Sequence, residues 1–205
     1  TNTKDILNPR VNSKKSKNHN AALFGRPQYS KEGEPGKFVD LPGTGKEVEL
    51  LSRALMMAKW QTQLFMGEDA TEKNLKNLNE PTVLHLASHG FFNPGEGSES
   101  YSLAETMIRS GIALAGVNDS NSKEEDGLLT AFEVINLNLD STVLVVLSAC
   151  ETAKGDVNHG EGVYGLQRAL RVAGAQNMIM SLWKVDDEAT QKLMVDFYSH
   201  WLKTK

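Results

Sequence analysis

A continuous run of apolar residues in the C-terminal half constrains this chain more than any other feature. Residues 142–147 read Thr-Val-Leu-Val-Val-Leu, and Ser148, Ala149 and Cys150 follow directly. A run of this kind, rich in β-branched residues and ended by small polar ones, is typical of a strand buried on both faces. In open α/β sheets, ligands bind beyond the carboxyl ends of the strands. Cys150, the one cysteine of the chain, is therefore predicted at a ligand-binding edge.

Predicted strands and helices alternate along the rest of the chain. Further strands are expected at 21–25, 61–66, 81–90 and 176–182, and helices at 44–58, 70–78, 128–135, 163–172 and 186–202. A short hairpin is expected at 107–116, with surface loops at 91–105 and 118–126. This alternation predicts an α/β fold with a parallel sheet that helices cover on both faces.

Gly45-Lys46 resembles the end of a phosphate-binding loop, but the rest of that pattern is missing. The loop needs a glycine five positions before Gly45 and a serine or threonine after the lysine, where this chain has Asp40 and Glu47. A nucleotide-binding domain is therefore a weak alternative. Thr44 and Glu47 are spaced as a capping box, which predicts a helix start instead.

Length and composition indicate one ordinary globular domain. The 205 residues are 40% hydrophobic and carry a net charge of −4, which gives no reason to expect nucleic acid or an anionic membrane as a partner. No apolar run approaches the roughly 20 residues of a spanning helix, no signal peptide opens the chain, and a single cysteine suits the reducing cytoplasm. Residues 1–20 are polar and aperiodic and predict a flexible lead-in or linker, so the domain is assigned to 21–205.

Two predicted strand ends carry reactive side chains. His89 lies at the end of the strand at 81–90, and Cys150 lies 61 residues later at the end of the next long apolar run. If these strands are neighbours, both residues open onto one crevice, where an imidazole helps to form the thiolate that attacks carbonyl groups. The N–H groups of Gly90 and Cys150 are candidate donors to the oxyanion that such an attack creates. This chemistry needs no metal or cofactor.

Other interpretations of these residues stay open at this point. A lone buried cysteine is most often an inert small hydrophobe. His85 lies inside the apolar run and is expected to be a core histidine, whereas His159 follows the cysteine in a Gly-rich loop at 155–160 and could compete as the base. His19 and His200, in a tail and a terminal helix, are expected to be solvated.

Seven segments in a fixed order resemble the CHAT domain (caspase HetF associated with tetratricopeptide repeats), a bacterial branch of the caspase-like and separase-like cysteine peptidases. The segments are LPGTGKEVE at 41–49, FMGEDATEKNL at 65–75, LHLASHGFF at 84–92, GLLTAFEV at 127–134, LSACETA at 147–153, GEGVYGL at 160–166 and SLWKVDDEAT at 181–190. The resemblance covers about residues 21–205. It implies a caspase-like αβα three-layer sandwich with a mostly parallel sheet. It also implies a dyad of His89 as general base and Cys150 as nucleophile in a cysteine endopeptidase.

The same resemblance implies a substrate pocket and a wider protein context. Relatives build the pocket for the residue before the scissile bond where this chain has Trp183, Asp186 and Asp187, and acidic walls would suit a basic residue. Alternatively, Asp186 and Asp187 only cap the last helix. True caspases read Gln-Ala-Cys-x-Gly, so cleavage after aspartate is not expected here.

The expected partners are a protein substrate and an upstream tetratricopeptide-repeat or sensor region of a larger bacterial protein. The family usually continues with a further helix and an aromatic-rich strand, so the domain is expected either to be truncated at its C-terminus or to have the remainder supplied by another chain. As a hypothesis, binding of a partner orders the loops at 91–105 and 118–127. A catalytically silent scaffold that binds a protein partner is the alternative function.

Overall fold

The structure, a computed structural model, describes residues 19–30, 36–93, 102–119, 125–148, 150–151, 159–181 and 187–203. Most of the predicted lead-in at 1–20 lies outside these ranges, as do the central parts of both predicted loops. In chain order the strands are β1 (Asn20–Pro27), β2 (Gln61–Gly67), β3 (Val83–Ala87), β4 (His89–Phe92), β5 (Ser110–Ala113), β6 (Leu128–Thr130), β7 (Leu144–Leu147), β8 (Cys150–Glu151) and β9 (Asn177–Met180). The helices are α1 (Pro42–Met57), α2 (Glu72–Lys76), α3 (Leu103–Arg109), α4 (Ala131–Val134), α5 (His159–Ala173) and α6 (Asp187–Lys203).

A five-stranded parallel sheet forms the centre of the molecule. Its order is β2-β1-β3-β7-β9, and every neighbouring pair is parallel. The apolar run at 142–147 supplies β7, which lies between β3 and β9 and has all four residues buried. A strand that is apolar throughout is expected in the interior of a parallel sheet, and β7 lies there.

Different helices cover the two faces of this sheet, because successive side chains of a strand point to opposite sides. On one face, strand residues Leu23, Val83 and Val146 pack with α1 and α6, which contribute Val48, Leu51, Leu55, Met194 and Tyr198. On the other face, Phe24, Leu84 and Val145 pack with α5 residues Leu166, Ala169 and Leu170 and with the second sheet. The predicted fold class, an α/β three-layer sandwich with a mostly parallel sheet, is confirmed.

A second, smaller sheet of order β6-β5-β4-β8 continues from the carboxyl ends of β3 and β7. β4 runs antiparallel to β5 and parallel to β8. The prediction of one strand over 81–90 is wrong, because the chain leaves the first sheet at Ser88 and His89 begins a new strand. The Ser88 hydroxyl donates to the carbonyl of Ala113 and lies 2.8 Å from the Tyr29 hydroxyl. These two contacts fix Ser88 at the point where the chain leaves the first sheet.

Three other local predictions are also corrected by the structure. Residues 107–116 form the end of α3 followed by β5 rather than a hairpin, and 128–135 contain the short strand β6 before α4. Capping boxes at Ser102–Glu105 and Thr130–Glu133 start these two helices. By contrast, Thr44 and Glu47 form no capping box, because α1 begins earlier, at Pro42, and both side chains are buried.

Within the described ranges, no helix has both the length and the apolar character needed to cross a bilayer.

Candidate active site

His89 and Cys150 begin two strands that lie side by side. β3 and β7 are paired in the central sheet, where Leu86 is opposite Leu147. Both chain segments then leave that sheet and pair again as β4 and β8, in which His89 is the register partner of Cys150. Neighbouring strands lie about 4.8 Å apart. The backbone thus brings together two residues that are 61 positions apart in the sequence.

The imidazole of His89 lies in an aromatic environment and is only 2% exposed. Its ring centroid is 5.1 Å from that of Tyr29 and 5.6 Å from that of Phe38. Both aromatic residues belong to a buried cluster that also contains Phe91 and Ala113. Close packing on two sides restricts the rotation of the imidazole.

One hydrogen bond determines which nitrogen of His89 carries a proton. Nε2 lies 2.8 Å from the carbonyl oxygen of Val39. Because a carbonyl oxygen can only accept, Nε2 must be the donor, and the neutral ring has its lone pair on Nδ1. Nδ1 is therefore the nitrogen of His89 that can take up a proton.

A second group of polar side chains lies between the central sheet and helices α1 and α6. His85 Nε2 is 2.8 Å from Oε1 of Glu47, and its Nδ1 is 3.2 Å from the hydroxyl of Tyr198. The second carboxylate oxygen of Glu47 accepts a hydrogen bond of 3.1 Å from the Ser148 hydroxyl. All four residues are buried, which confirms the prediction that His85 is a core histidine. Burial, and then the negative charge of Glu47, raise the pKa of Tyr198 well above its usual range.

The remaining predicted site residues are described to different extents. Gly90 lies within β4, opposite Ile112 on one side and Glu151 on the other. Trp183 and Asp186 lie outside the described residues, and Asp187 is described only as the first residue of α6. The oxyanion role of Gly90 and Cys150 and the pocket role of these three residues stay predictions.

The three remaining histidines belong to other parts of the fold. His159 is the first residue of α5 rather than part of a loop, and its side chain is not described. His19 and His200 are exposed as predicted, with His19 against Trp60 and His200 Nδ1 2.8 Å from the carbonyl of Asp196. In the part of the chain that the structure describes, no group of three or more His, Cys, Asp or Glu residues could hold a metal ion.

Sequence reasoning missed the Glu47 group and the Val39 carbonyl. One signal for Glu47 was present, because the residue falls within the apolar repeat that Val48, Leu51 and Leu55 continue. A charged residue on the buried stripe of a helix needs a buried partner. No comparable signal exists for Val39, since a backbone carbonyl is common to every residue.

Comparison with known proteins gives a family and two relatives. A family model described as the CHAT domain matches residues 2–205. Tetratricopeptide repeat protein 28 of Mus musculus is 28% identical over 207 residues, and the Homo sapiens protein of the same name is 27% identical. Each alignment covers 89% of this chain but only 8% of the relative, so the chain spans a small part of the length of these curated relatives.

Among solved structures, a Streptococcus pneumonia TIGR4 flavodoxin is 12% identical with a TM-score of 0.42, covering 90% of this chain and 97% of the flavodoxin. A likeness at this level carries no argument about function.

Proposed function

Because the chain belongs to the CHAT domain family, which is caspase-like and protease-related, we propose that it is a cysteine endopeptidase domain with a dyad of His89 and Cys150. The observation that carries the proposal is the register pairing of these two residues at the start of β4 and β8. A thiol nucleophile requires a base within reach, and pairing on adjacent strands supports that proximity. With one cysteine in the chain, no other residue can supply the thiol.

His89 acts as the general base in this proposal. Its Nε2 is committed to the Val39 carbonyl at 2.8 Å, so proton transfer uses Nδ1. The imidazolium that forms keeps its Nε2 hydrogen bond, and a carbonyl acceptor stabilises the positive charge. The same carbonyl therefore sets the tautomer before the reaction and supports the cation during it.

The proposed reaction is acyl transfer in two stages. The thiol of Cys150 gives its proton to His89, and the sulfur attacks the carbonyl carbon of a peptide bond. Backbone N–H groups, proposed as those of Gly90 and Cys150, stabilise the oxyanion. The C–N bond then breaks as His89 protonates the departing amine, which leaves a thioester. Water, with its proton taken by His89, hydrolyses the thioester and restores the thiol.

The substrate in this proposal is a protein, and the residue before the cleaved bond is basic. Support comes from charge alone, because Asp186 and Asp187 would offer two carboxylates to an incoming lysine or arginine. Trp183 would supply an apolar wall for the methylene groups of the same side chain. The relatives are named for tetratricopeptide repeats, which supports a protein-interaction context for the domain. A cytoplasmic location and a regulatory repeat region are part of the same proposal.

A peptide-library cleavage assay tests the function. The protein is incubated with peptides of diverse sequence, and products are identified by mass spectrometry for wild type, Cys150→Ala and His89→Gln. His200→Gln is the matched control, because that histidine is exposed on α6. We expect no cleavage by Cys150→Ala, a loss of about 10²–10⁴-fold for His89→Gln, and wild-type rates for the control.

Two results would reject the proposed peptidase function. Equal cleavage by wild type and both dyad variants would assign the activity to a contaminant. No cleavage by any form, together with a thiol that a covalent probe does not label, would favour the silent scaffold. A nucleotide-binding function predicts instead that a nucleotide raises the melting temperature, and no such rise is expected.

A further inference from the structure

The segment that carries the Val39 carbonyl is held by one side-chain amide from a distant part of the chain. Asn118 Oδ1 accepts a hydrogen bond of 3.2 Å from the backbone N–H of Phe38. Asn118 Nδ2 donates to the carbonyl of the same Phe38 at 2.9 Å. The amide therefore pairs with both backbone groups of the residue next to Val39, much as a neighbouring strand would.

Asn118 is itself held in place by backbone contacts. Its backbone N–H donates to the carbonyl of Tyr29 at 2.9 Å, and the N–H of Gly116 donates to the backbone carbonyl of Gln28 at the same distance. A third contact of its side chain goes from Nδ2 to the Ser30 hydroxyl at 2.8 Å. The amide thus joins a turn that is fixed to the end of β1 with the segment that holds His89.

Close packing around this amide gives a second, independent observation. A Cβ atom placed on Gly36 would lie 2.0 Å from Asn118 Nδ2, closer than any real contact. The absence of a side chain at Gly36 is therefore what allows the amide to reach the backbone of Phe38. Residue 36 and residue 118 fit each other at a point where neither belongs to a strand or helix.

We propose that Asn118 is a positioning residue for His89. By fixing Phe38 from both backbone groups, it places the Val39 carbonyl so that His89 keeps its proton on Nε2 and presents Nδ1 as the base. It also fixes the Phe38 ring, whose centroid lies 5.6 Å from that of the imidazole. The catalytic part of this inference rests on the proposed function, whereas the effect on the imidazole tautomer does not.

Loss of this amide has a predictable chemical result. Without it, the Val39 carbonyl shifts, and the ring gains access to the tautomer that is protonated on Nδ1, which cannot act as the base. A displacement of about 1 Å at a catalytic group costs on the order of 10²-fold in rate. We expect kcat/KM to fall about 10–100-fold with kcat carrying most of the loss, because the substrate pocket is not touched.

The test is ¹⁵N NMR of the protein with labelled histidine, compared for wild type, Asn118→Ala and Gly36→Ala. The His89 signals are assigned from their absence in His89→Gln. Asn177→Ala is the matched control, because the Asn177 amide also donates to a backbone carbonyl, that of Val143 at 2.9 Å, but lies on β9. We expect the Nε2-protonated tautomer in wild type and the control, and a mixture of tautomers in Asn118→Ala and Gly36→Ala. The same variants should move the acid limb of the pH profile of kcat/KM.

Unchanged His89 signals in a folded Asn118→Ala variant would overturn the proposal. If Asn118→Ala does not fold, Asn118→Asp replaces it, because Asp keeps the acceptor for the Phe38 N–H and loses only the donors. Unchanged His89 signals in that variant would overturn the proposal equally. A changed tautomer in a protein that cleaves no peptide would support the positioning role and reject the peptidase, so the two failures are distinguishable.

Discussion

Glu47 and His85 form a hydrogen-bonded pair of 2.8 Å in the interior, and neither side chain is more than 1% exposed. The pair joins helix α1 to the middle of β3. Its second carboxylate oxygen reaches Ser148, two residues before Cys150. A buried carboxylate therefore connects the packing of α1 with the end of the strand that leads to the proposed nucleophile.

Replacing Glu47 should destabilise the fold strongly. Glu47→Ala leaves a cavity and removes the acceptor of both His85 and Ser148, and each buried donor left without a partner costs about 1–3 kcal/mol. Glu47→Gln keeps the shape and one acceptor oxygen, so a smaller loss of about 1–3 kcal/mol is expected. Urea denaturation of wild type, Glu47→Ala and Glu47→Gln measures the two losses as differences in the free energy of unfolding.

Glu49→Ala provides the control for this pair, because Glu49 is exposed on the same helix. Its effect should stay within about 0.5 kcal/mol. A Glu47→Ala variant as stable as Glu49→Ala would show that the buried group contributes nothing.

Tyr198 should determine part of the stability at alkaline pH. Burial, and then the charge of Glu47, hold its pKa well above the usual value. The unfolded phenol ionises near about pH 10 while the folded one stays protonated, so stability is complete below that pH and falls above it. Tyr198→Phe should lose about 1 kcal/mol at pH 7, for the hydrogen bond to His85, yet show a smaller alkaline decline. Thermal melts between pH 7 and 11 test this, and parallel declines of the two proteins would contradict it.

Asp40 lies next to Val39 and pairs with Arg26 at 2.8 Å. The hydrogen bond from Arg26 is the main cause that lowers the pKa of Asp40. Because the folded pKa is the lower one, the contribution of the pair is present above about pH 4 and is lost as the pH falls through the folded pKa. Asp40→Asn should therefore lower the melting temperature slightly and by a constant amount from pH 5 to 8.

Salt provides the second measurement for this pair, since both side chains are about half exposed. The difference between wild type and Asp40→Asn should shrink at 1 M salt, where screening is strong. A difference that grows between pH 5 and pH 8 would contradict the assignment.

Much of the central sheet could be predicted from the sequence, because parallel strands buried on both faces are apolar throughout. The run at 142–147 is the clearest case and supplies β7. The break at Ser88 could not be predicted, since it depends on the Tyr29 hydroxyl and the Ala113 carbonyl, which are 59 and 25 residues away. Local sequence at 84–92 is equally compatible with one long strand.

The candidate site could also be predicted only in part. Reactive residue types such as His89 and Cys150 stand out just after the apolar runs that form β3 and β7, and a shared edge could be predicted for them. The groups that hold the imidazole could not be predicted, because Val39 contributes a carbonyl and Asn118 acts on the backbone of Phe38 across 80 residues. Contacts to backbone groups are hard to predict from residue types, because nearly every residue carries the same N–H and carbonyl groups.

The most direct measurement of the central claim is the rate at which iodoacetamide alkylates Cys150 as a function of pH. The chain has a single cysteine, so the rate reports one thiol. If His89 promotes its ionisation, wild type should react with a midpoint well below about 8.5, the ordinary value of a free thiol, and His89→Gln should return to that value. Coinciding profiles for the two proteins, or a folded wild type that does not react, would contradict the dyad.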